Sequence, residues 1–378
     1  MNFLIDQYKN DGSKPISHNY LYEQFSDCDE IFQEIKELVK RGDYTLGQPV
    51  IDFESDVKEF CNAKNVIAMG SGTDAIALSL KACGVGFGDE VITTPFTFYA
   101  TIGAICLIGA KPVFCDVGLD YNIDPQKIQN VITGKTRAIV PVHWSGEICN
   151  MAEINAIADK NGLFVVQDAC HAFGARMDGI HCGVGKNSIA AFSLHPLKNI
   201  NCWGDGGFVI TDCDETAEKL RLLRNHGLRD RDTCEIWGHN SRLDSLQAIV
   251  AKWLLKKVKN INYSRLKNAQ ALDLHLKNIP GIKIPLRKHN VLHSFHLYSL
   301  LADNRDKLVE YLRKHGIDAK IHYPLCMHLQ PAADAWGYKK GDFPVAESVA
   351  SNTFSLPVHE FIGDSDIKKM VELIRGFC

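Results

Sequence analysis

Short runs of apolar and β-branched residues alternate with amphipathic stretches through the first two-thirds of the chain. Seven of these runs are candidate strands: residues 65–69, 90–94, 112–116, 138–142, 164–168, 190–193 and 207–211. Stretches with helical periodicity lie between them, for example residues 73–82 and 151–161. Because strands that are separated by helices need crossover connections, the pattern predicts an α/β domain with a mostly parallel seven-stranded sheet covered by helices.

The pattern changes near Trp253. A long, lysine-rich helical stretch over residues 248–279 is followed by a short apolar run at 282–285, an alternating run at 293–301 and a helical stretch at 305–315. This mixed order differs from the regular alternation before it. We therefore expect a large domain over residues 1–252 and a smaller α+β C-terminal domain over residues 253–378.

Composition and charge narrow the classes of partner and compartment. Lys and Arg together number 42, and Asp and Glu 45, so the formal net charge is −3, which does not favour a nucleic-acid or membrane partner. Residues 1–10 contain Asp6 and Lys9 and no apolar core, so we expect no signal peptide. The thirteen cysteines form no C-x-x-C pair, which indicates reduced thiols in a cytoplasmic protein.

The fifteen histidines raise the question of a metal site. The spacing of His322, Cys326 and His328 comes nearest to zinc-ligand chemistry, but Pro324 interrupts the segment and no fourth ligand is evident. We therefore expect no metal site.

Three polar or glycine-rich segments follow predicted strands, at the edge where an open α/β sheet presents its ligand site. Residues 70–74 (GSGTD) open a helix and suit a phosphate, or they simply cap that helix. Asp168 ends an apolar strand, where it meets a ligand or forms a helix cap or a structural ion pair. Lys198 follows another strand, and its alternative is an ordinary solvated lysine.

The need to bind one cofactor explains these three segments together better than three unrelated explanations do. Pyridoxal phosphate needs a cradle for its phosphate, an acid beside its ring nitrogen and a lysine amine for its aldehyde. Asp168 and Lys198 are 30 residues apart (198 − 168), which leaves room for one excursion that returns to the same sheet edge. An aromatic residue of the segment 95–99 (PFTFY) can cover the ring face.

With these motifs in place, the chain resembles the DegT/DnrJ/EryC1/StrS family of pyridoxal-phosphate-dependent sugar aminotransferases, which have the aspartate aminotransferase fold type. The resemblance runs nearly end to end. Its ordered blocks are residues 42–47 (GDYTLG), 70–75 (GSGTDA), 88–92 (GDEVI), 141–143 (PVH), 167–172 (QDACHA), 192–199 (FSLHPLKN), 204–207 (GDGG) and 238–242 (GHNSR).

The resemblance implies a role for each matching residue. Lys198 would bond to the cofactor aldehyde, and Asp168 would pair with the ring nitrogen. The other cofactor contacts it implies are Gly72, Thr73 and Ser193 at the phosphate, Phe98 on the ring face, His171 near the ring hydroxyl, and Asn240 at the phosphate of the other subunit. His171 stands where the family usually has glutamine, so its hydrogen-bond geometry and titration differ. The role of Asn240 implies a homodimer with shared active sites.

The resemblance also implies a reaction. Relatives that remove a sugar hydroxyl have histidine in place of the lysine, so the presence of Lys198 favours transamination. The expected reaction moves an amino group from L-glutamate to a keto-hexose that is linked to a nucleotide, with a lean towards the 3-keto position. His322, Tyr323 and Arg242 are the candidate substrate contacts. Three alternatives stay open: a 4-keto nucleotide sugar, a keto-hexose monophosphate, or a non-catalytic sensor or regulator with the same fold.

Overall fold

The computed structural model of the protein describes residues 14–378. The prediction that residues 1–10 are not a signal peptide concerns a segment outside the described residues. The elements of the larger part are, in chain order, α1 (Leu21–Gln24), α2 (Asp29–Arg41), α3 (Gln48–Cys61), β1 (Asn65–Met69), α4 (Gly72–Ala82), β2 (Glu90–Thr93), α5 (Tyr99–Leu107), β3 (Lys111–Phe114), α6 (Pro125–Ile128), β4 (Thr136–Val140), α7 (Met151–Asn161), β5 (Phe164–Val165), β6 (Gln167–Asp168), β7 (Arg176–Met177), β8 (Ile180–His181), β9 (Ile189–Ser193), β10 (Gly207–Thr211), α8 (Asp214–Arg224) and α9 (Ser245–Leu255).

The remaining elements are α10 (Val258–Leu276), β11 (Ile282–Lys283), β12 (Val291–Leu292), β13 (Tyr298–Ala302), α11 (Arg305–Lys314), α12 (Pro344–Asn352), β14 (Thr353–Leu356) and α13 (Asp364–Phe377). Short 3₁₀ turns lie at Gln129–Val131, Trp144–Gly146, Met327–Leu329 and Pro331–Trp336. In this part β11, β13 and β14 form an antiparallel sheet.

The main sheet has the strand order β3-β2-β4-β5/β6-β9-β10-β1. β5 and β6 are separated only by Val166, whose N–H donates to Ile139 O at 3.0 Å, and Asp168 N donates to Pro141 O at 2.9 Å. Residues 164–168 therefore continue as one strand, as the sequence predicts. Among these strands β10 runs antiparallel and the others are parallel, which confirms the mostly parallel seven-stranded sheet.

Alternation along the central strands sends apolar side chains to both faces of this sheet. Val66, Phe192 and Phe208 face one core cluster, which helices α2, α3 and α9 cover. Ile67 and Val209 face the other cluster, which α4 and α8 cover. Because both faces are buried, the strands are apolar throughout, and polar groups gather where the strands end.

The carboxyl ends of β1, β2, β4, β6 and β9 lie at one edge of the sheet, since these strands run in the same direction. Each end leads into a turn that contains residues of interest, and the reversed strand β10 starts at the same edge with Gly207. A Cβ atom at Gly207 would lie 2.5 Å from the backbone of Ser71. Glycine at that position therefore lets β10 pass close to the turn after β1.

The smaller part has its own apolar cluster, formed by β11, β13, β14, α11, α13 and the second half of α10. Trp253 to Ile261 pack with the large sheet instead, and Ile16 packs with the smaller part. The division into domains at residues 252 and 253 stays a prediction.

Two predicted elements differ from the structure. The single helix predicted over residues 248–279 is two helices, α9 and α10, which meet at Lys256 and Lys257. The run at 293–301 forms a strand only from Tyr298, because Phe295 has a left-handed backbone (φ 46°) and residues 294 and 297 bond to the turn at Ser145–Gly146. No helix within residues 14–378 is both long and apolar enough to cross a membrane.

Candidate functional site

Lys198 lies in the turn after β9, and that turn is held from both sides. Leu197 has a left-handed backbone (φ 73°), and its carbonyl accepts a hydrogen bond from the Tyr20 hydroxyl at 2.9 Å. Asn201 Nδ2 donates to Lys198 O at 2.9 Å. Burial lowers the pKa of the Lys198 amine, and its charge interactions with Cys170 and Asp168 oppose that effect only in part. A larger fraction of the amine is therefore uncharged and able to attack a carbonyl.

Asp168 ends β6, and three contacts fix it. One carboxylate oxygen, Oδ2, accepts a hydrogen bond from the Thr101 hydroxyl at 2.7 Å, and Oδ1 accepts one from Cys170 N at 3.2 Å. The backbone carbonyl of Asp168 accepts from His143 N at 3.0 Å. The carboxylate is buried, at 6% exposure. It is thus a buried, rigidly held acceptor within electrostatic reach of Lys198.

The start of α4 lies directly against the end of β9. Ser71 caps the helix, since its hydroxyl accepts from Asp74 N at 3.1 Å. A Cβ atom at Gly72 would lie 2.8 Å from Ser193 Cβ and 3.0 Å from Cys170 Sγ, so glycine alone fits there. The first N–H groups of a helix have no partner within it, and the helix dipole favours an anion at this end. Gly72, Thr73 and Ser193 therefore form a cradle that suits a phosphate.

A chain of aromatic rings leads from the surface towards Lys198. Phe98 is 47% exposed, and its ring lies 5.5 Å from that of Tyr323. Tyr323 lies 5.5 Å from Trp144, which in turn lies 5.8 Å from His171. We call these four residues the aromatic wall. Its exposed end offers ring faces for stacking, and its inner end offers imidazole nitrogen atoms.

The histidines nearest to Lys198 favour the uncharged form. Burial lowers the pKa of His322 to about 4, helped by the positive charges of Lys320 and Lys198. Burial, Lys198 and His322 also hold the pKa of His171 well below its usual value. His171 Nδ1 is buried with no hydrogen-bond partner within the described residues. Near neutral pH these imidazoles are therefore uncharged hydrogen-bonding groups.

These observations test whether the residues fit pyridoxal phosphate, and they do. An amine whose pKa is lowered by burial, a buried acid, a glycine-lined helix start and an exposed aromatic face occur at one sheet edge. A buried nitrogen without a partner, His171 Nδ1, is also available. Of the predicted residues, the structure brings together Lys198, Asp168, Gly72, Ser193, Phe98, His171, His322 and Tyr323, with Thr73 next to Gly72 at the start of α4.

Asn240 and Arg242 lie apart from this group. Asn240 is exposed on the loop after α8, and Arg242 Nη1 donates to Asn225 Oδ1 at 3.3 Å on the same loop. The loop touches the helix start through Ser241, whose hydroxyl donates to Asp74 at 2.7 Å. Within one subunit, therefore, the described contacts of Asn240 and Arg242 are with this loop and its surroundings rather than with Lys198.

Sequence reasoning missed Thr101, Trp144 and His296. Thr101 bonds to Asp168 across the sheet edge, Trp144 is part of the aromatic wall, and the His296 ring lies 4.4 Å from His171. Thr97 precedes Phe98, a predicted cofactor contact, and Thr101 follows three positions after Phe98; this proximity is a signal that could have drawn attention to them. The position of His296 depends on the reversal at Phe295, which has no sequence signal.

The comparisons with known proteins agree with this geometry. A sequence model of the DegT/DnrJ/EryC1/StrS aminotransferase family matches residues 26–375. A relative named pleiotropic regulatory protein, from Geobacillus stearothermophilus, is 39% identical over 359 residues, which cover 94% of this chain and 96% of that protein. A relative named UDP-2-acetamido-2-deoxy-3-oxo-D-glucuronate aminotransferase, from Pseudomonas aeruginosa, is 38% identical and covers 90% of this chain and 94% of its own length.

Solved structures show the same likeness. The crystal structure of S. venezuelae DesV in complex with a ketimine intermediate superimposes with a TM-score of 0.92 at 35% identity. The match covers 96% of this chain and 98% of that one. The fold therefore has a counterpart in a solved protein.

Proposed function

This chain belongs to the DegT/DnrJ/EryC1/StrS aminotransferase family, and we propose that it moves an amino group from L-glutamate to the 3-keto position of a nucleotide-linked hexose. It is a pyridoxal-phosphate-dependent sugar aminotransferase. The donor, the keto position and the residue roles are the parts that we propose. The observation that carries the proposal is the placement of Lys198, Asp168 and the Gly72–Ser193 cradle at one sheet edge.

The proposed roles follow from the contacts of each residue. Gly72, Thr73 and Ser193 would hold the cofactor phosphate, Asp168 would accept a hydrogen bond from the ring nitrogen, and Phe98 would cover the ring face. When bound, pyridoxal phosphate supplies an aldehyde that takes up the amine and a ring that draws electrons from the reacting carbon. The Asp168 carboxylate is buried and accepts hydrogen bonds from Thr101 and Cys170, and a carboxylate held in this way is well suited to partner a ring N–H.

Lys198 would carry out the proton transfers of the reaction. Burial lowers the pKa of its amine and so raises the uncharged fraction near neutral pH. The uncharged amine would take a proton from the donor carbon and return one to the acceptor carbon. His171 and His322 are uncharged there and so would not compete with Lys198 for protons.

Three features support a nucleotide-linked sugar. His322 and Tyr323 reach the site from the smaller part, and their neutral polar atoms suit sugar hydroxyls. Phe98 and Tyr99 are half exposed beside Tyr323 and offer rings to a base. The name of the Pseudomonas relative specifies a 3-oxo sugar.

The substrate assignment is tested by comparing the turnover of different keto sugars. The purified protein with glutamate should form 2-oxoglutarate when a 3-keto nucleotide hexose is added, and a Lys198→Ala variant should not. Faster turnover with a 4-keto nucleotide hexose would contradict the proposal that the 3-keto position receives the amino group. Turnover of a keto-hexose monophosphate, without binding of free nucleoside diphosphates, would contradict the proposal that the sugar is linked to a nucleotide.

We also propose a homodimer whose subunits share active sites. Trp237 is 86% exposed and Phe87 96%, and such large exposed apolar side chains favour an interface. Close to Trp237, a cavity of about 370 Å³ lies between α4 and the loop that carries Asn240. The wild type should sediment as a dimer, and Trp237→Asp should shift it towards monomer and weaken cofactor binding. A wild-type monomer that binds the cofactor fully would contradict the shared site.

The proposed location is the cytoplasm. All thirteen cysteines are unpaired in the structure, and a reducing compartment would keep them so.

A further inference from the structure

Two buried threonines, Thr97 and Thr101, lie in a hydrogen-bonded line that ends at Asp168. The Thr101 hydroxyl donates to Asp168 Oδ2 at 2.7 Å, and Thr97 Oγ1 lies 2.7 Å from Thr101 Oγ1. Both threonines are 1% exposed. We propose that Thr97 and Thr101 are positioning residues that hold the Asp168 carboxylate and the Phe98 ring in one fixed arrangement. This inference rests on the proposed role of Asp168.

The direction of each hydrogen bond follows from the donors available. A carboxylate has no hydrogen to give, so Thr101 donates to Asp168. A hydroxyl has one hydrogen, so Thr101 can only accept from Thr97. The relay therefore runs from Thr97 through Thr101 to Asp168 Oδ2. Because Oδ1 is already bonded to Cys170 N, both oxygens of the carboxylate are fixed by groups on two different segments.

The same segment also places Phe98. Phe98 lies between the two threonines and forms the N-cap of α5, and its carbonyl accepts from Thr101 N at 3.2 Å. Before it, Phe96 packs on Trp144 at 4.4 Å, and Pro95 O accepts from Met327 N at 2.8 Å. The segment is thus anchored to the aromatic wall and to the smaller part. A shift of the threonines would move the acid and the ring face together.

The proposed role depends on the hydroxyl groups of the two threonines rather than on the volume of their side chains. Valine has the shape of threonine without the donor, and serine keeps the donor without the methyl group. Within a protein, a hydrogen bond to a charged acceptor contributes more to stability than one between neutral groups. The two threonines should therefore differ in effect, with Thr101 the larger.

The test is titration of the full-length protein with pyridoxal phosphate, followed by the visible absorption band and by affinity. Thr101→Val should bind about tenfold or more weakly and with a displaced band, while Thr101→Ser should bind within a few-fold of the wild type. Thr97→Val should weaken binding about threefold, with rescue by Thr97→Ser. Wild-type affinity and an unmoved band in Thr101→Val would overturn the inference.

An Asp168→Asn variant separates the two assignments. If it binds pyridoxal phosphate like the wild type, the proposed role of Asp168 is wrong. If Asp168→Asn binds weakly while both valine variants bind normally, the role of Asp168 stands and the relay is wrong. Should Thr101→Val fail to fold, as judged by its melting temperature, Thr97→Val and its serine rescue decide the question.

Discussion

At the scale of single residues, burial sets the protonation of the site. It lowers the pKa of the Lys198 amine and of the surrounding histidines, so that the amine is reactive and the imidazoles are neutral. Desolvation disfavours the charged form of each of these bases. The charge of Asp168 opposes the lowering of the Lys198 pKa only in part.

His171 gives a prediction at this scale, since glutamine usually stands at its position in the family. A neutral hydrogen bond contributes about 0.5–1.5 kcal/mol, or roughly two- to tenfold in affinity. We expect His171→Leu to weaken pyridoxal phosphate binding within that range, and His171→Gln to bind like the wild type. His315→Leu, at an exposed position after α11, is the matched control. Equal binding by His171→Leu and the wild type would exclude a cofactor contact for His171.

The placement of three candidate residues at one sheet edge could be predicted from the sequence, whereas their chemical roles stay predictions. Lys198, Asp168 and Gly72 each follow a strand, and a parallel sheet brings such ends to one edge. Thr101 and His296 were not predictable in this way, because their roles depend on contacts between segments that are distant in the chain.

At the scale of elements, close packing of backbone turns determines the phosphate cradle. The start of α4 touches β9 through Gly72 and touches β10 through Ser71 and Gly207. No side chain can be added at these contacts without moving backbone. The cradle is therefore shaped by three elements rather than by α4 alone.

Gly72→Ala tests this packing. The added Cβ would press on Ser193 and Cys170, and such overpacking costs about 1–3 kcal/mol. We expect weaker pyridoxal phosphate binding, by about tenfold, and a lower melting temperature. Gly376→Ala is the control, because Gly376 is exposed near the end of α13 with no atom within 4 Å of an added Cβ. Cofactor binding at wild-type affinity in Gly72→Ala would show that the cradle lies elsewhere.

The strands were easier to predict than the long helix. Residues 65–69 and 207–211 were predicted with the bounds that the structure has, because apolar runs between turns leave little choice. The break between α9 and α10 has no glycine or proline to announce it. It coincides with one tertiary contact, the ion pair of Lys256 with Glu30, and with a local contact of Lys257 with the Trp253 ring.

At the scale of the whole molecule, buried neutral histidines make stability depend on pH. Burial lowers the pKa of His143 and His322 to about 4 and of His181 and His359 to about 3. The unfolded chain binds these protons near pH 6.5, so acidification favours unfolding. Glu147 acts in the opposite direction, since burial raises its pKa to about 7 and the folded state then gains its proton first.

From these five groups alone, about four protons bound by the histidines, less about one for Glu147, leave about three protons taken up on unfolding between pH 6 and pH 4.5. This uptake corresponds to about 4 kcal/mol of lost stability per pH unit. Denaturant unfolding at stepped pH measures this slope. His359 donates to Ser17 O at 2.8 Å, a bond that glutamine can replace. We expect His359→Gln to have a shallower slope by about 1.4 kcal/mol per pH unit. A slope equal to the wild type would mean that His359 is not buried neutral.

The central claim is that Lys198 is the residue that bonds to pyridoxal phosphate. The most direct measurement is reduction of the purified, cofactor-loaded protein with borohydride, followed by digestion and mass spectrometry of the peptides. The account predicts that the reduced cofactor is attached to the peptide containing Lys198, and that a Lys198→Ala variant treated in the same way carries none. Attachment to another lysine, or labelling of Lys198→Ala at the wild-type level, would contradict it.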